Sequence, residues 1–270
     1  MHVLVTGAAG GIGGGVARTL AAAGHDVLGV DIDADGLATL PATVETRVLD
    51  LRDATATAEL VGDRPLDCVI SCVGEYEVAS IEDTSPEAFR RQIETNLTAV
   101  HTVVQSVLPT LRARTGRVVV VGSMVGSVPL PYHGAYSAAK AGVAGYVASL
   151  RREVTPHGVT VSLVEPGPVR TGFNERAATA ARASAEGDPT SPYADDYRGF
   201  AGYTPAATDI DDVVSCIVTA ATSDRPQTRY RVSRRARWLP RIAAVLPDRL
   251  ADPVIRAGLP GGVLGRLIDR

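Results

Sequence analysis

Val3-Leu4-Val5-Thr6-Gly7-Ala8-Ala9-Gly10-Gly11-Ile12-Gly13 stands near the start of the chain, and its reading decides the fold. Residues 3–6 form a short apolar run of the kind found in strands buried on both faces. Residues 12–23, beyond the glycines, repeat with helical period. Glycines between a strand and a helix serve a tight turn, close helix–strand packing, and the approach of backbone to a pyrophosphate. The helix start then offers oriented N–H groups to the phosphates. Gly7, Gly11, Ile12 and Gly13 are therefore candidate dinucleotide contacts. A glycine cluster alone says little in an Ala/Gly-rich chain; its place between first strand and first helix gives it weight.

Working outward, residues 27–30, 44–49, 68–71, 118–121 and 159–164 are further Val-rich apolar runs. Residues 54–61, 86–111, 135–154 and 209–221 read as helices, and 229–232 as a last edge strand. Strands alternating with helices imply βαβ units, hence an α/β protein with a doubly wound parallel sheet. We expect one dinucleotide-binding domain over residues 1–225, with a lid inserted at about 172–205. That stretch is polar, Ala-rich and carries Pro189 and Pro192. Residues 226–270 form a basic, apolar C-terminal helical extension.

Asp31 closes the second strand, 24 residues after Gly7. A carboxylate there accepts hydrogen bonds from adenosine ribose hydroxyls and repels a 2′-phosphate. Neither Lys nor Arg occupies positions 8–10 or 32–36. NAD is thus favoured over NADP, with Asp33 as substitute if the strand runs further. Asp50 and Leu51, after the third strand, would flank the adenine.

The chain has 270 residues, 45% hydrophobic and 21% charged, which excludes a disordered protein. Net charge of −3 carries no nucleic-acid signature. The charge is uneven: residues 225–270 hold eleven Arg and three Asp, a net +8 that leaves −11 on the rest. Cys68 and Cys72, four apart in a strand, stand about 13 Å apart and too far to bridge. With Cys216 they form no disulfide framework, and we expect a reduced, cytoplasmic protein. The N-terminal stretch has no basic region ahead of its apolar run, unlike a signal peptide. No apolar stretch reaches the roughly 18 residues of a membrane span. No His/Cys/Asp cluster has metal-ligand spacing, so no metal is expected.

Of the 27 Lys and Arg residues, one is Lys: Lys140. A lysine kept alone suggests chemistry that guanidinium cannot do, since the ammonium pKa can be tuned. It lies four residues after Tyr136, hence on the same helix face. A nearby ammonium lowers a phenol pKa, and Tyr136 then passes a proton to or from a substrate oxygen. Ser123 follows the fifth strand, at the carboxyl end where open α/β sheets bind ligands. It suits a hydrogen bond to the same oxygen, or a plain cap. Asn96 is a poor helix former in an apolar helical stretch, so its buried amide must hold a water or a carbonyl.

Gly7/Gly11/Gly13, Asn96, Ser123 and Tyr136/Lys140, in this order and spacing, resemble the short-chain dehydrogenase/reductase family over about residues 1–225. The resemblance implies a Rossmann fold and a catalytic tetrad of Asn96, Ser123, Tyr136 and Lys140. The lysine would also bind the nicotinamide ribose, and the asparagine would hold a proton-relay water. Pro166-Gly167-Pro168-Val169-Arg170-Thr171 is similar to the family's motif after the sixth strand. Pro166, Gly167, Val169 and Thr171 would then face the nicotinamide carboxamide and phosphates. The chain departs from the family at Ser71-Cys72-Val73-Gly74, where Asn-Asn-Ala-Gly is usual. Gly74 remains as a cofactor contact, with Cys72 nearby as an oxidisable or simply packing thiol.

The expected activity is hydride transfer between a nicotinamide cofactor and a secondary alcohol or ketone. The alternatives are an NADPH-dependent β-ketoacyl-thioester reductase, which Asp31 opposes, and a non-catalytic dinucleotide sensor, which needs no tyrosine–lysine pair. The substrate is expected to be a bulky apolar small molecule, terpenoid-, steroid- or polyketide-like. Its pocket would combine residues 124–131, the lid aromatics Phe173, Tyr193, Tyr197, Phe200 and Tyr203, and Trp238, Leu239 and Ile242 if the tail folds back. The tail would line an entrance, dock on an anionic membrane surface, or pack on a partner subunit or its own acidic body. The charge balance favours the last. A homodimer or homotetramer is expected.

Overall fold

The computed structural model describes residues 1–169, 172–202 and 208–257, and the side chains of all of these except residues 172–176. In chain order, β1 (His2–Thr6) leads through the glycine turn into α1 (Gly11–Ala22), followed by β2 (Asp26–Asp31) and the short α2 (Ala34–Ala38). Next come β3 (Val44–Val48), α3 (Ala54–Val61) and β4 (Cys68–Ser71). Then follow α4 (Pro86–Ile93), α5 (Ala99–Ala113), β5 (Arg117–Val121), α6 (Gly134–Val154) and β6 (Thr160–Glu165). The stretch expected as a lid folds into α7 (Gly172–Gly187) and α8 (Ala194–Ala201). After α9 (Ile210–Thr222) and β7 (Arg229–Arg231), the tail forms α10 (Arg234–Ala243) and α11 (Asp248–Ala257).

The seven strands run parallel in the order β3-β2-β1-β4-β5-β6-β7. Successive side chains of a strand face opposite ways. Leu4 accordingly joins an apolar layer with Val103, Val107 and Val147 of α5 and α6. Val3 and Val5 join the opposite layer with Val16, Leu20 and Ile217 of α1 and α9. The order reverses between β1 and β4, so their carboxyl ends splay and leave the crevice where such sheets bind ligands. Thus the Rossmann-type α/β sheet read from the sequence is the fold of the chain.

Three local departures matter for the site. Asp33 is not a strand-end carboxylate: it caps α2, its side chain accepting from Gly36 N at 3.0 Å. The helix expected over residues 86–111 is broken into α4 and α5 by a π-turn at Glu94–Thr98, which contains Asn96. Pairing of the basic tail with the acidic body is also limited. Among the described residues its ion pairs are those of Arg229 and Arg231 with the buried Glu165, which hold β7 on the sheet edge. No helix among the described residues is long and apolar enough to cross a membrane.

Hydrogen bonds from tyrosines fasten the lid. Tyr197 Oη donates to Asp83 at 2.5 Å and accepts from Ser80 N at 2.9 Å. Tyr193 Oη donates to Glu82, and Tyr132 Oη to Asp196 of α8. Tyr132 adopts a left-handed backbone (φ 64°), uncommon for a residue with a side chain, immediately before His133 and α6.

Candidate active site

One cavity of about 1380 Å³ runs along the carboxyl ends of the strands. Gly7, Gly11, Ile12 and Gly13 line one end, where the glycine turn meets α1. Its geometry needs glycine. Gly7 has φ +68°, and a Cβ there would stand 2.7 Å from the Cys72 carbonyl. A Cβ on Gly13 would stand 2.1 Å from the Gly7 carbonyl oxygen. Gly10 caps α1 without a side chain, so the first helical N–H groups face the cavity with no capping oxygen.

Asp31, Asp50 and Leu51 line the same end. Asp31 is held by Ala9 N on Oδ2 (3.0 Å) and Asp33 N on Oδ1 (3.1 Å). Asp50 is engaged by Arg52, whose guanidinium holds its carboxyl below the usual range. Gly74, Pro166, Gly167 and Val169 line the middle. Thr171 lies outside the described residues.

Ser123, Tyr136 and Lys140 share the cavity wall. Ser123 follows β5 by two residues, caps the short turn Met124–Gly126 through Val125 N (3.3 Å), and its side chain has a lowering effect on the Tyr136 pKa. This serine thus caps the turn and also faces the cavity. Lys140 Nζ donates to Val121 O at 3.3 Å and lies 5.6 Å from the Tyr136 ring centroid. The sequence led us to expect a phenol lowered by that ammonium. In the chain by itself, burial pushes Tyr136 up to about 12 against the lowering effect of the Ser123 side chain. Burial likewise draws Lys140 down to about 8. Beside it, burial raises the Cys72 thiol to about 12, a packing thiol rather than an oxidisable thiolate.

Asn96 is fully buried behind this wall. Its amide clasps the backbone of Glu75: Oδ1 accepts from Glu75 N (3.2 Å) and Nδ2 donates to Glu75 O (2.9 Å). Nδ2 also donates to Gln92 O at 3.0 Å, across the π-turn. The amide thus holds carbonyls, one of the two uses expected. A Cβ on Gly74 would stand 3.0 Å from Asn96 Oδ1 and 3.6 Å from Lys140 Nζ, so glycine keeps the space between them open.

The sequence reading missed Tyr76 and His133. Tyr76 Oη lies 2.6 Å from His133 Nε2, and His133 Nδ1 lies 2.6 Å from Pro131 O. A carbonyl only accepts, so Nδ1 carries the hydrogen and Nε2 accepts from Tyr76. Burial lowers the His133 pKa, which favours the neutral ring. The Tyr76 ring meets Tyr136 edge-on, with centroids 5.1 Å apart. The available signal was a histidine one helical turn before Tyr136 and an aromatic two residues after Gly74.

The far wall is largely apolar, with Arg235 of α10 at its edge, and comes from three places. Met124, Val125, Val128 and Leu130 belong to the loop after Ser123. Ala177 and Phe200 belong to the lid, and Leu239, Val254 and Ile255 to the tail. Tyr193 and Tyr197 do not line it: their hydroxyls bolt the lid to the body and turn the rings away. Phe173's side chain and Tyr203 lie outside the described residues. Trp238 and Ile242 point outward, because α10 presents Leu239 to the cavity and its other apolar face to solvent. Ala236 of α10 is fully buried against Met124, Val125 and Tyr136.

Residues 1–182 match the family model of short chain dehydrogenases. The human 17-beta-hydroxysteroid dehydrogenase type 6 is 29% identical over 96% of this chain and 89% of its own length. The 3-oxoacyl-[acyl-carrier-protein] reductase of Vibrio harveyi is 32% identical over 69% of this chain and 84% of its own. A solved oxidoreductase of the short chain dehydrogenase/reductase family, from Burkholderia thailandensis, superposes with a TM-score of 0.73 at 30% identity. It covers 93% of this chain and 96% of that one. The chain belongs to the short-chain dehydrogenase/reductase family. It is an oxidoreductase that works with a nicotinamide cofactor, and the glycine cradle, the uncapped start of α1 and the length of the cavity fit such a group.

Proposed function

We propose that this oxidoreductase interconverts a secondary alcohol and a ketone on a bulky, largely apolar substrate and prefers NAD to NADP. The gathering of Ser123, Tyr136 and Lys140 on the wall of one cavity, whose far wall is largely apolar, carries the reading. The cofactor supplies or accepts the hydride at its nicotinamide ring.

The chain's own residues do the rest. Ser123 Oγ and Tyr136 Oη converge on one substrate oxygen; the serine orients it and the phenol gives or takes its proton. Lys140, as ammonium, favours the phenolate and holds the nicotinamide ribose. Asn96 and Gly74 keep room for a relay water next to Lys140. Gly7, Gly11, Ile12 and Gly13 receive the diphosphate, and Gly74, Pro166, Gly167, Val169 and Thr171 bound the nicotinamide half. Leu51 and Asp50 flank the adenine.

Asp31 supports the NAD preference. Its carboxylate is fixed by two backbone N–H groups, lines the cavity with Asp33 and Asp50, and would repel a 2′-phosphate. The nearby guanidinium of Arg52 is already committed to Asp50. Deuterium labelling tests the reaction type. Deuterium on the carbinol carbon of a bulky secondary alcohol should be recovered on the nicotinamide ring; its recovery in water would contradict direct transfer. A parallel assay with a β-ketoacyl thioester and NADPH decides the reductase alternative.

A further inference from the structure

The tail leaves an apolar face uncovered. Among the described residues, ten large apolar side chains stand exposed, and six of them fall in α10, α11 and their junction: Trp238, Leu239, Ile242, Val245, Leu250 and Val254. Val245 is 83% and Trp238 59% exposed. Isolated apolar residues on a surface are ordinary, but six within two successive helices mark a contact surface. The same two helices carry Arg234, Arg235, Arg237, Arg241, Arg249 and Arg256 against Asp248 and Asp252. None of these arginines makes an ion pair among the described residues. Arg241 instead lies over the Trp238 ring, 5.4 Å from its centroid.

We propose that this face docks on an anionic lipid surface, so that a lipid-dissolved substrate enters the cavity from the membrane. An amphipathic helix with arginines beside Trp and Leu lies in the interfacial plane and is drawn there by anionic headgroups. Tryptophan favours that depth. A second copy of the chain suits the face poorly, since a two-fold contact sets the same patch against itself and would bring six arginines against six. The face is continuous with the site: Leu239 and Val254 are both exposed and both line the cavity. The inference deepens the apolar-substrate reading and rests on it only for the route of entry.

Trp238 is the single tryptophan of the chain, so its fluorescence reports this face alone. The full-length protein, without substrate or cofactor, is mixed with phosphatidylcholine vesicles with or without phosphatidylglycerol. Trp238 emission should shift to the blue, and the protein should sediment, with the anionic vesicles only, and less so as salt rises. Ile242→Ser with Leu250→Ser keeps the reporter and alters two exposed side chains away from the cavity. This pair should weaken vesicle partition about tenfold or more. An unchanged emission with no sedimentation at any phosphatidylglycerol content overturns the proposal. So does a blue shift that appears without vesicles, rises with protein concentration and accompanies a doubled mass. No turnover enters these readings, so their failure leaves the alcohol–ketone reading intact, and the failure of that reading leaves them standing.

Discussion

Lys140 Nζ sits 5.6 Å from the centroid of the Tyr136 ring, one turn further along α6, yet burial keeps the phenol near 12 and brings the ammonium to about 8. The two groups are placed to act together, and their protonation is left for the loaded site to set.

The pH profile of the free enzyme follows. Lys140 is an ammonium below about 8 and an amine above it. Loss of that charge removes support for the phenolate and for the ribose contact. A plot of kcat/KM against pH should therefore fall on its alkaline side through about 8. Lys140→Met should show much lower activity with no such limb. A wild-type profile that still climbs well above that pH would contradict the assignment.

Tyr136→Phe keeps the ring that Tyr76 and Ala236 contact and removes the hydroxyl. Acid–base catalysis contributes typically about 10²–10⁴-fold, so kcat should fall by at least 10²-fold or so while cofactor affinity stays within about twofold. Fluorescence titration with NADH and initial rates check the two halves. A variant retaining more than about a tenth of wild-type kcat removes Tyr136 from its role.

Asp31→Ala should weaken NADH binding and narrow the discrimination against NADPH. The carboxylate's two backbone donors, Ala9 N and Asp33 N, can turn to water at the mouth, so the fold should persist. The dissociation constants of both reduced cofactors, for wild type and variant, give the answer. A wild-type protein that binds NADPH more tightly refutes the ribose reading.

Asn96→Ala strips the Glu75 N–H and C=O of their side-chain partner inside the protein. Leaving buried polar groups unpaired costs about 1–3 kcal/mol. For a chain of this size that corresponds to a fall in Tm of roughly 2–12 °C. Calorimetry should find this together with reduced kcat, because the loop carrying Gly74 and Tyr76 loosens beside the site. An unchanged Tm would mean that the clasp on Glu75 is not formed.

What the sequence reveals is what short-range physics determines. The Gly7–Gly13 turn, Asp31 at the end of β2, Ser123 at the end of β5 and Tyr136/Lys140 on one helix face all follow from local pattern and spacing. Long-range contacts are not written locally. The π-turn at Asn96 depends on the Glu75 backbone, which comes from the far side of β4. Tyr76 and His133 lie 57 residues apart and meet only through the fold. The lid aromatics were visible as residues, but the carboxylates Asp83 and Glu82 that turn Tyr197 and Tyr193 away from the cavity were not. The same holds for the tail. A basic, apolar helical tail was legible in the sequence, whereas the rotation of α10, which faces Leu239 inward and Trp238 outward, goes with Ala236 packing on Tyr136.

The most direct test compares kcat/KM of the wild-type protein, with NAD, for a cyclic terpenoid or steroid secondary alcohol and for a small polar alcohol such as a short hydroxy acid. Each apolar side chain buried against the substrate contributes on the order of 1 kcal/mol, so several together should favour the bulky alcohol by at least about a hundredfold. Equal values, or a preference for the small polar alcohol, would contradict the account.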